Sequence, residues 1–251
     1  MPRTLGIIGY GSFGRLLHEL VHRFAPDVKV VVHSSRADAS QDFYVTLERA
    51  CTADVVVPCV PIHAFEATVG NMLPHLGADS ILVDVATVKM HTVNILQTLM
   101  PQGRWIATHP MFGPESYKKR KKSVQDLRVV VAESTLQPEE KNAAVSFLKR
   151  CGFDVVEMSS AEHDKHLAET LFLTHFVGQT VHRAGFDRTA IDTVSFGYLM
   201  DAIESVKHDE TLFKDVYRYN PFCEEALRRF ETAELDVRAL LKRQNSLKNK
   251  G

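Results

Sequence analysis

Up to about residue 158, short apolar runs alternate with stretches whose apolar residues recur every three or four positions. The first run, 4–8, leads at once into Gly9-Tyr10-Gly11-Ser12-Phe13-Gly14, after which Leu16, Leu17, Leu20 and Val21 return at helical spacing. Further strand-like runs lie at 28–33, 54–61, 80–86, 105–108 (leading into His109), 127–132 and 153–158. Helical patterns fall between them at 64–76, 90–99 and 138–149. Strands alternating with helices predict an α/β fold with a mostly parallel sheet, and a glycine loop between the first strand and helix makes residues 1–158 a Rossmann-type dinucleotide-binding domain.

After Met158 the strand pattern stops. Ser159-Ser160-Ala161-Glu162 fits a capping box that opens a long helix reaching to Ala184. Helical patterns follow at 191–206, 209–219 and 222–242, the last introduced by Asn220-Pro221. The polar tail 244–251 reads as frayed. Residues 159–251 therefore form an all-α C-terminal domain. By analogy with other two-domain dinucleotide-binding proteins it supplies a substrate wall and a homodimer interface.

Composition narrows the partners. The chain has 251 residues, 45% of them hydrophobic, and a net charge of −1, which excludes a nucleic-acid-coating surface. Cys51, Cys59, Cys151 and Cys223 are widely spaced with no CxxC pair, so neither a zinc site nor a disulfide frame is expected. No apolar run reaches membrane-spanning length, and the expected location is the cytoplasm, with a plastid transit segment outside this chain as the alternative. The basic block Lys118-Lys119-Arg120-Lys121-Lys122 after Tyr117 reads as a solvated linker, and a mobile lid over an anionic substrate is the other reading.

The candidate chemistry gathers at the carboxyl ends of the strands, where ligands of such sheets bind. Gly9 permits a tight turn, Gly11 lets the backbone approach a pyrophosphate, and Gly14 lets helix and strand pack closely. Tyr10, Ser12 and Phe13 complete that loop, whose helix supplies N–H groups to the phosphates. The second strand ends in His33-Ser34-Ser35-Arg36, with no carboxylate to repel a 2′-phosphate, so NADP is the expected cofactor. Cys59, Val60, Pro61, Thr87 and His109 reach the same edge. A neutral imidazole at His109 could take a proton while hydride leaves for a nicotinamide, and Thr87 could orient it or bond a substrate hydroxyl. His175, on an apolar helix face, reads by itself as a core histidine. His163 and His166 read as a solvated first turn, and no metal is expected.

Thr108-His109-Pro110-Met111-Phe112-Gly113-Pro114-Glu115-Ser116 resembles the signature of the arogenate/prephenate dehydrogenase family, in its plant-type arogenate branch. Asp84-Val85-Ala86-Thr87-Val88-Lys89 resembles that family's D-x-x-S-V-K segment, and Glu157-Met158, His163-Asp164-Lys165 and Thr174-His175 resemble its E-M…H-D-K…T-H stretch. The resemblance implies NADP-dependent oxidative decarboxylation of arogenate to tyrosine, with His109 taking the ring hydroxyl proton. It implies that Met111, Phe112, Gly113, His175 and Asp209 bind substrate, Asp209 pairing with the ammonium that distinguishes arogenate from prephenate. The alternatives are a prephenate or dual-substrate dehydrogenase, or a silent NADP-binding regulator. Three positions depart from the family pattern: Thr87 for serine, Leu171 for glutamine and Glu204 for arginine.

Overall fold

The structure, a computed structural model, describes residues 2–35 and 41–248. The chain separates into two compact units, Met1–His163 and Asp164–Gly251. The boundary anticipated at 158/159 lies just before a helix that opens at Ser160, and the division falls inside that helix.

The first unit is built on a seven-stranded sheet. Its elements in order are β1 (Thr4–Ile8), α1 (Ser12–Phe24), β2 (Lys29–His33), α2 (Leu47–Cys51), β3 (Val55–Pro58), α3 (Phe65–Met72), β4 (Ile81–Asp84), α4 (Lys89–Leu99), β5 (Trp105–Pro110), α5 (Pro114–Lys119), β6 (Arg128–Ser134), α6 (Pro138–Cys151) and β7 (Asp154–Glu157). Single 3₁₀ turns flank α3 at Ile62–Ala64 and Leu73–His75. Strand order is β2-β1-β3-β4-β5-β6-β7. The first five strands are parallel, β6 runs against β5, and β7 follows β6. Central strands read as continuous Val/Ile/Leu runs because both faces are covered, as in Val55–Pro58, where Val56 and Val57 are buried.

Two helices escape the periodicity. α2 is five residues long, too short to show a helical repeat, and is opened by the Thr46 hydroxyl accepting from Arg49 N–H. α5 takes up the first two residues of the basic block, correcting its reading as a plain linker. Tyr117 is buried in the cluster of Leu16, Leu20, Leu127 and Phe153, and Arg23 donates to its hydroxyl at 3.0 Å. Lys118 and Lys119 sit in the last turn, where cations complement the helix dipole. Lys121 and Lys122 then adopt φ of 52° and 62°, and Lys122 N–H closes the helix end on the Tyr117 carbonyl at 2.9 Å.

The second unit is helical: the remainder of α7 (Ser160–Leu167), a π-helical turn over Ala168–Phe172, α8 (Leu173–Arg183), α9 (Val194–Val206), α10 (Glu210–Tyr219) and α11 (Cys223–Lys248). The capping box is present, with Ser159 N–H donating to the Glu162 carboxylate at 3.0 Å and Glu162 N–H donating to the Ser159 hydroxyl at 3.2 Å. The single long helix expected from 159 to 184 is interrupted by the π turn; Thr170 within it and Thr174 just after it turn their hydroxyls back onto the carbonyls of His166 and Thr170. α11 runs on as helix to Lys248, past the position where the tail was expected to fray.

Candidate active site

The glycine loop follows β1 directly. Gly9 has φ 98°, and a Cβ there would stand 2.5 Å from the Cys59 carbonyl oxygen. A Cβ on Gly14 would stand 2.3 Å from the Gly9 carbonyl oxygen, so α1 can seat on the loop only without one. Around a Cβ on Gly11 there is nothing within 4 Å. The loop is stitched to its neighbours, Gly9 N–H donating to His33 O at 2.8 Å and Cys59 N–H to Ile8 O at 2.7 Å. No side chain caps α1 and no acidic residue lies in its first turn. An open backbone at an uncapped helix N-terminus fits a pyrophosphate.

The surroundings of that loop are only partly as anticipated. Tyr10 donates to or accepts from His18 Nδ1 at 2.7 Å and packs edge-on to Tyr44, while Arg15 Nε donates to the Tyr10 carbonyl at 3.2 Å. Ser12 is exposed, whereas Phe13 turns its ring into the core cluster and leaves only its backbone to the loop. Val60 is half-buried and Pro61 exposed at the carboxyl end of β3. Ser34 is half-buried and Ser35 exposed after β2, and Arg36 lies outside the described residues.

Two strands over, the carboxyl ends of β4 and β5 are locked by a buried polar network. Lys89 and Asp84 are fully buried, and Lys89 Nζ donates to Asp84 Oδ2 at 2.5 Å and to the Thr108 carbonyl at 2.7 Å. Asp84 also accepts from the Thr92 hydroxyl at 2.6 Å and from Ala86 N–H at 2.8 Å, and the Thr108 hydroxyl donates to the Asp84 carbonyl at 2.8 Å. The D-x-x-x-x-K spacing therefore reflects a dry ion pair at the turn from β4 into α4. A charge this deep persists only when paired and hydrogen-bonded.

His109 stands one residue beyond that anchored carbonyl and is 4% exposed. Its Nδ1 lies 2.9 Å from Nε2 of His163, with the rings at 75°. Burial first, then His163, then Lys89 hold its pKa well below the ordinary imidazole value, so the ring is neutral at pH 7. Among the described residues no hydrogen-bond partner stands at its Nε2. His163 is itself 2% exposed, which corrects its reading as part of a solvated first turn; His166, three residues on, is exposed. The group that reaches His109 Nδ1 is thus His163, and no hydrogen bond joins Thr87 to the ring. Thr87 is half-buried between Asp84 and Lys89, and its hydroxyl has no hydrogen bond among the described residues.

The motif after His109 divides. Met111 is exposed and Gly113 opens α5 with free space around its Cα. Phe112, expected against substrate, stacks instead on Phe153 at 5.6 Å and 13° within the core cluster.

In the helical unit His175 is 5% exposed and its ring lies parallel to Phe213 at 6.2 Å. Its Nδ1 is buried with no hydrogen-bond partner. Burial lowers its pKa, and the charge of Asp209 pulls the other way. Asp209 is exposed at the N-cap of α10, where its carboxylate makes no capping bond and stays available. Leu171 is half-buried in the π turn, and Glu204 is engaged by Lys207 at 2.8 Å.

Among the described residues no group of three or more His, Cys, Asp or Glu could hold a metal ion, and no helix is long and apolar enough to cross a membrane. Two cavities, of about 340 and 300 Å³, lie around Trp105 and Arg104 at the amino end of β5, the edge opposite His109.

The family model of the prephenate dehydrogenase nucleotide-binding domain matches residues 29–157. The chain belongs to the prephenate dehydrogenase family. Within that family the match spans every strand from β2 to β7, including the Asp84–Lys89 pair and His109. A second model, of a TYRAAT1-like C-terminal domain, matches residues 180–250. Chloroplastic arogenate dehydrogenase 1 of Arabidopsis thaliana is 30% identical over 240 residues, which is 91% of this chain and 38% of that protein. Arogenate dehydrogenase 2 of the same plant is 28% identical over 240 residues, covering 91% of this chain and 67% of that protein. This family member thus spans little more than a third of the first relative and two thirds of the second. In fold it is similar to prephenate dehydrogenase of Aquifex aeolicus, solved in complex with hydroxyphenyl propionate and NAD+, with 18% identity, a TM-score of 0.76, and coverage of 97% and 92% of the two chains.

Proposed function

We propose that this chain is an NADP-dependent dehydrogenase that converts arogenate to tyrosine by oxidative decarboxylation. The observation that carries the reading is His109: a buried, neutral imidazole with one nitrogen bonded and the other free, on the sheet edge that also bears the open glycine loop. Gly9, Gly11, Gly14 and the uncapped start of α1 would hold a dinucleotide, whose nicotinamide supplies a hydride acceptor when bound. The absence of a carboxylate at the end of β2, with Ser34 and Ser35 following His33, supports the 2′-phosphate form.

His109 Nε2 takes the proton of the ring hydroxyl as that carbon loses hydride. The ring carboxylate then leaves as carbon dioxide, and its bonding electrons pass into the ring and make the oxygen phenolic. The sum of arogenate and NADP+ equals that of tyrosine, carbon dioxide and NADPH with no proton left over. The proton lent to His109 therefore returns to the oxygen it came from, and the base needs no path to solvent. It needs a low affinity for that proton at rest, which its burial and the nearby Lys89 charge supply. Asp209 is the group in the helical unit suited to an ammonium, and this supports arogenate over prephenate.

The test is turnover. Purified protein with NADP and arogenate should generate NADPH absorbance, with prephenate and NAD as the comparison substrate and cofactor. His109→Ala should lower kcat by about 10²–10⁴-fold and leave NADP affinity unchanged. NADP binding without turnover on either substrate would favour a silent regulator instead. The four cysteines are all free, which supports a reducing compartment such as the cytoplasm. The apolar side chains in water on α9 and α11 support a homodimer through the helical unit.

A further inference from the structure

The two nitrogens of a neutral imidazole differ: one donates, the other accepts. For His109 to take a proton at Nε2, its own hydrogen must reside on Nδ1. An isolated imidazole in water favours the opposite arrangement slightly, so something must hold the hydrogen there. The group facing Nδ1 is Nε2 of His163, at 2.9 Å and itself buried. No backbone carbonyl among the described residues bonds His109 Nδ1, so the histidine is the acceptor at hand.

We propose that His163 is a positioning residue that fixes the tautomer of His109, accepting Nδ1–H at its own Nε2 so that the free Nε2 of His109 faces the substrate as a proton acceptor. The inference deepens the dehydrogenase reading and rests on it for its consequence, though not for its geometry. It requires His163 to carry its own hydrogen on Nδ1, so both rings hold the same tautomer and the pair shares one hydrogen bond. The charged group set against His109 is Lys89 from α4, itself paired to Asp84 from β4. The Lys89 cation resists a second proton entering the His109 ring, which keeps one hydrogen on it. His163 comes from α7, 54 residues along the chain, and α7 is in turn set by Ser160, which bonds Glu133 through both its N–H and its hydroxyl.

The direct experiment needs no substitution. Long-range ¹H–¹⁵N correlation spectra of the ¹⁵N-histidine-labelled full chain at pH 7.5 separate protonated from bare ring nitrogens. The expected signature for His109, assigned by its loss in His109→Asn, is protonated Nδ1 and bare Nε2. The reverse tautomer overturns the proposal whether or not the protein turns over arogenate.

The consequence is read in His163→Leu and His163→Gln, the second keeping an acceptor oxygen near the lost Nε2. His163→Leu should lower kcat about 10²-fold or more, with KM and NADP affinity within threefold, since a base in the wrong tautomer can lose as much as ~10⁴-fold. His163→Gln should recover at least tenfold of that loss. A kcat within threefold of wild type in His163→Leu overturns the proposal, as does equal loss in both variants. If neither variant folds, the tautomer measured in the wild-type protein decides. Absence of turnover in the wild type would instead sink the dehydrogenase reading and leave the tautomer result standing.

Discussion

The two histidines that carry the functional argument are buried to nearly the same degree, and their surroundings differ. Around His109, in the nucleotide-binding unit, the buried polar side chains answer one another: Asp84 to Lys89 and Thr92, Lys89 to the Thr108 carbonyl, and His109 to His163. In the helical unit His175 lies against an aromatic ring with its Nδ1 unanswered, and apolar Ile191, Val194 and Tyr198 stand largely in water. The only other unanswered buried side-chain nitrogen or oxygen among the described residues is Trp105 Nε1, at the far end of β5 from His109. Native interiors rarely leave such groups alone, so each unanswered one calls for an explanation. The polar groups around His109 are thus answered within the chain, and the one at His175 is not.

The sharpest way to break that contrast is to remove a member of the answered network. Lys89→Met leaves the Asp84 carboxylate charged in a dry interior and frees the Thr108 carbonyl. Denaturant unfolding should report a loss of about 3–5 kcal/mol. The double variant Asp84→Leu/Lys89→Met should recover part of it, because no orphaned charge remains. A single-variant loss below about 1 kcal/mol would mean that the pair is hydrated and that the network does not anchor β4 to β5.

The sheet that carries this network was legible in the sequence, the network itself was not, and the difference has physical causes. Strand runs in the first unit are buried on both faces and short, so they stand out, and their alternation with helices fixes the edge at which Gly9, Thr87 and His109 meet. The Asp84-to-Lys89 spacing was visible but mute, since burial makes it an ion pair and no local pattern reports burial. His163 looked like half of a solvated pair with His166, because its partner lies 54 residues away and periodicity carries no long-range pairing. Phe112 sits in a motif that suggests substrate contact, yet a ring of that size is held more strongly by a stacked core neighbour. α2 and the π turn are shorter than the window in which a repeat can be recognised.

The second contrast concerns the apolar surface. Val194 and Tyr198 recur at helical spacing on α9, with Ile191 in the turn before it, and Val237, Leu240 and Leu241 do so on α11, each more than half exposed. A second copy covering these stripes would account for them. Tyr198→Arg or Leu240→Lys should weaken self-association at least tenfold, or about 1.4 kcal/mol, in sedimentation equilibrium. A wild-type chain that sediments as a monomer at tens of micromolar would remove the dimer from the proposal.

The smallest expected effect tests what the unanswered nitrogen is for. A buried polar atom without a partner costs stability, so a side chain of similar size without that atom should be tolerated or better. His175→Leu keeps apolar packing against Phe213 and removes Nδ1, and it also removes a ring whose protonation burial already opposes. Thermal unfolding of this variant should show stability unchanged or raised by about 1 kcal/mol. If His175 is held open for substrate, the same variant should raise KM for arogenate severalfold while NADP affinity stays put. The two readouts must move in opposite directions: fold indifferent or improved, substrate binding worse. A variant that loses stability and keeps its KM would show that His175 belongs to the core, as its apolar helix face first suggests, and the difference drawn between the two units would reduce to one of packing.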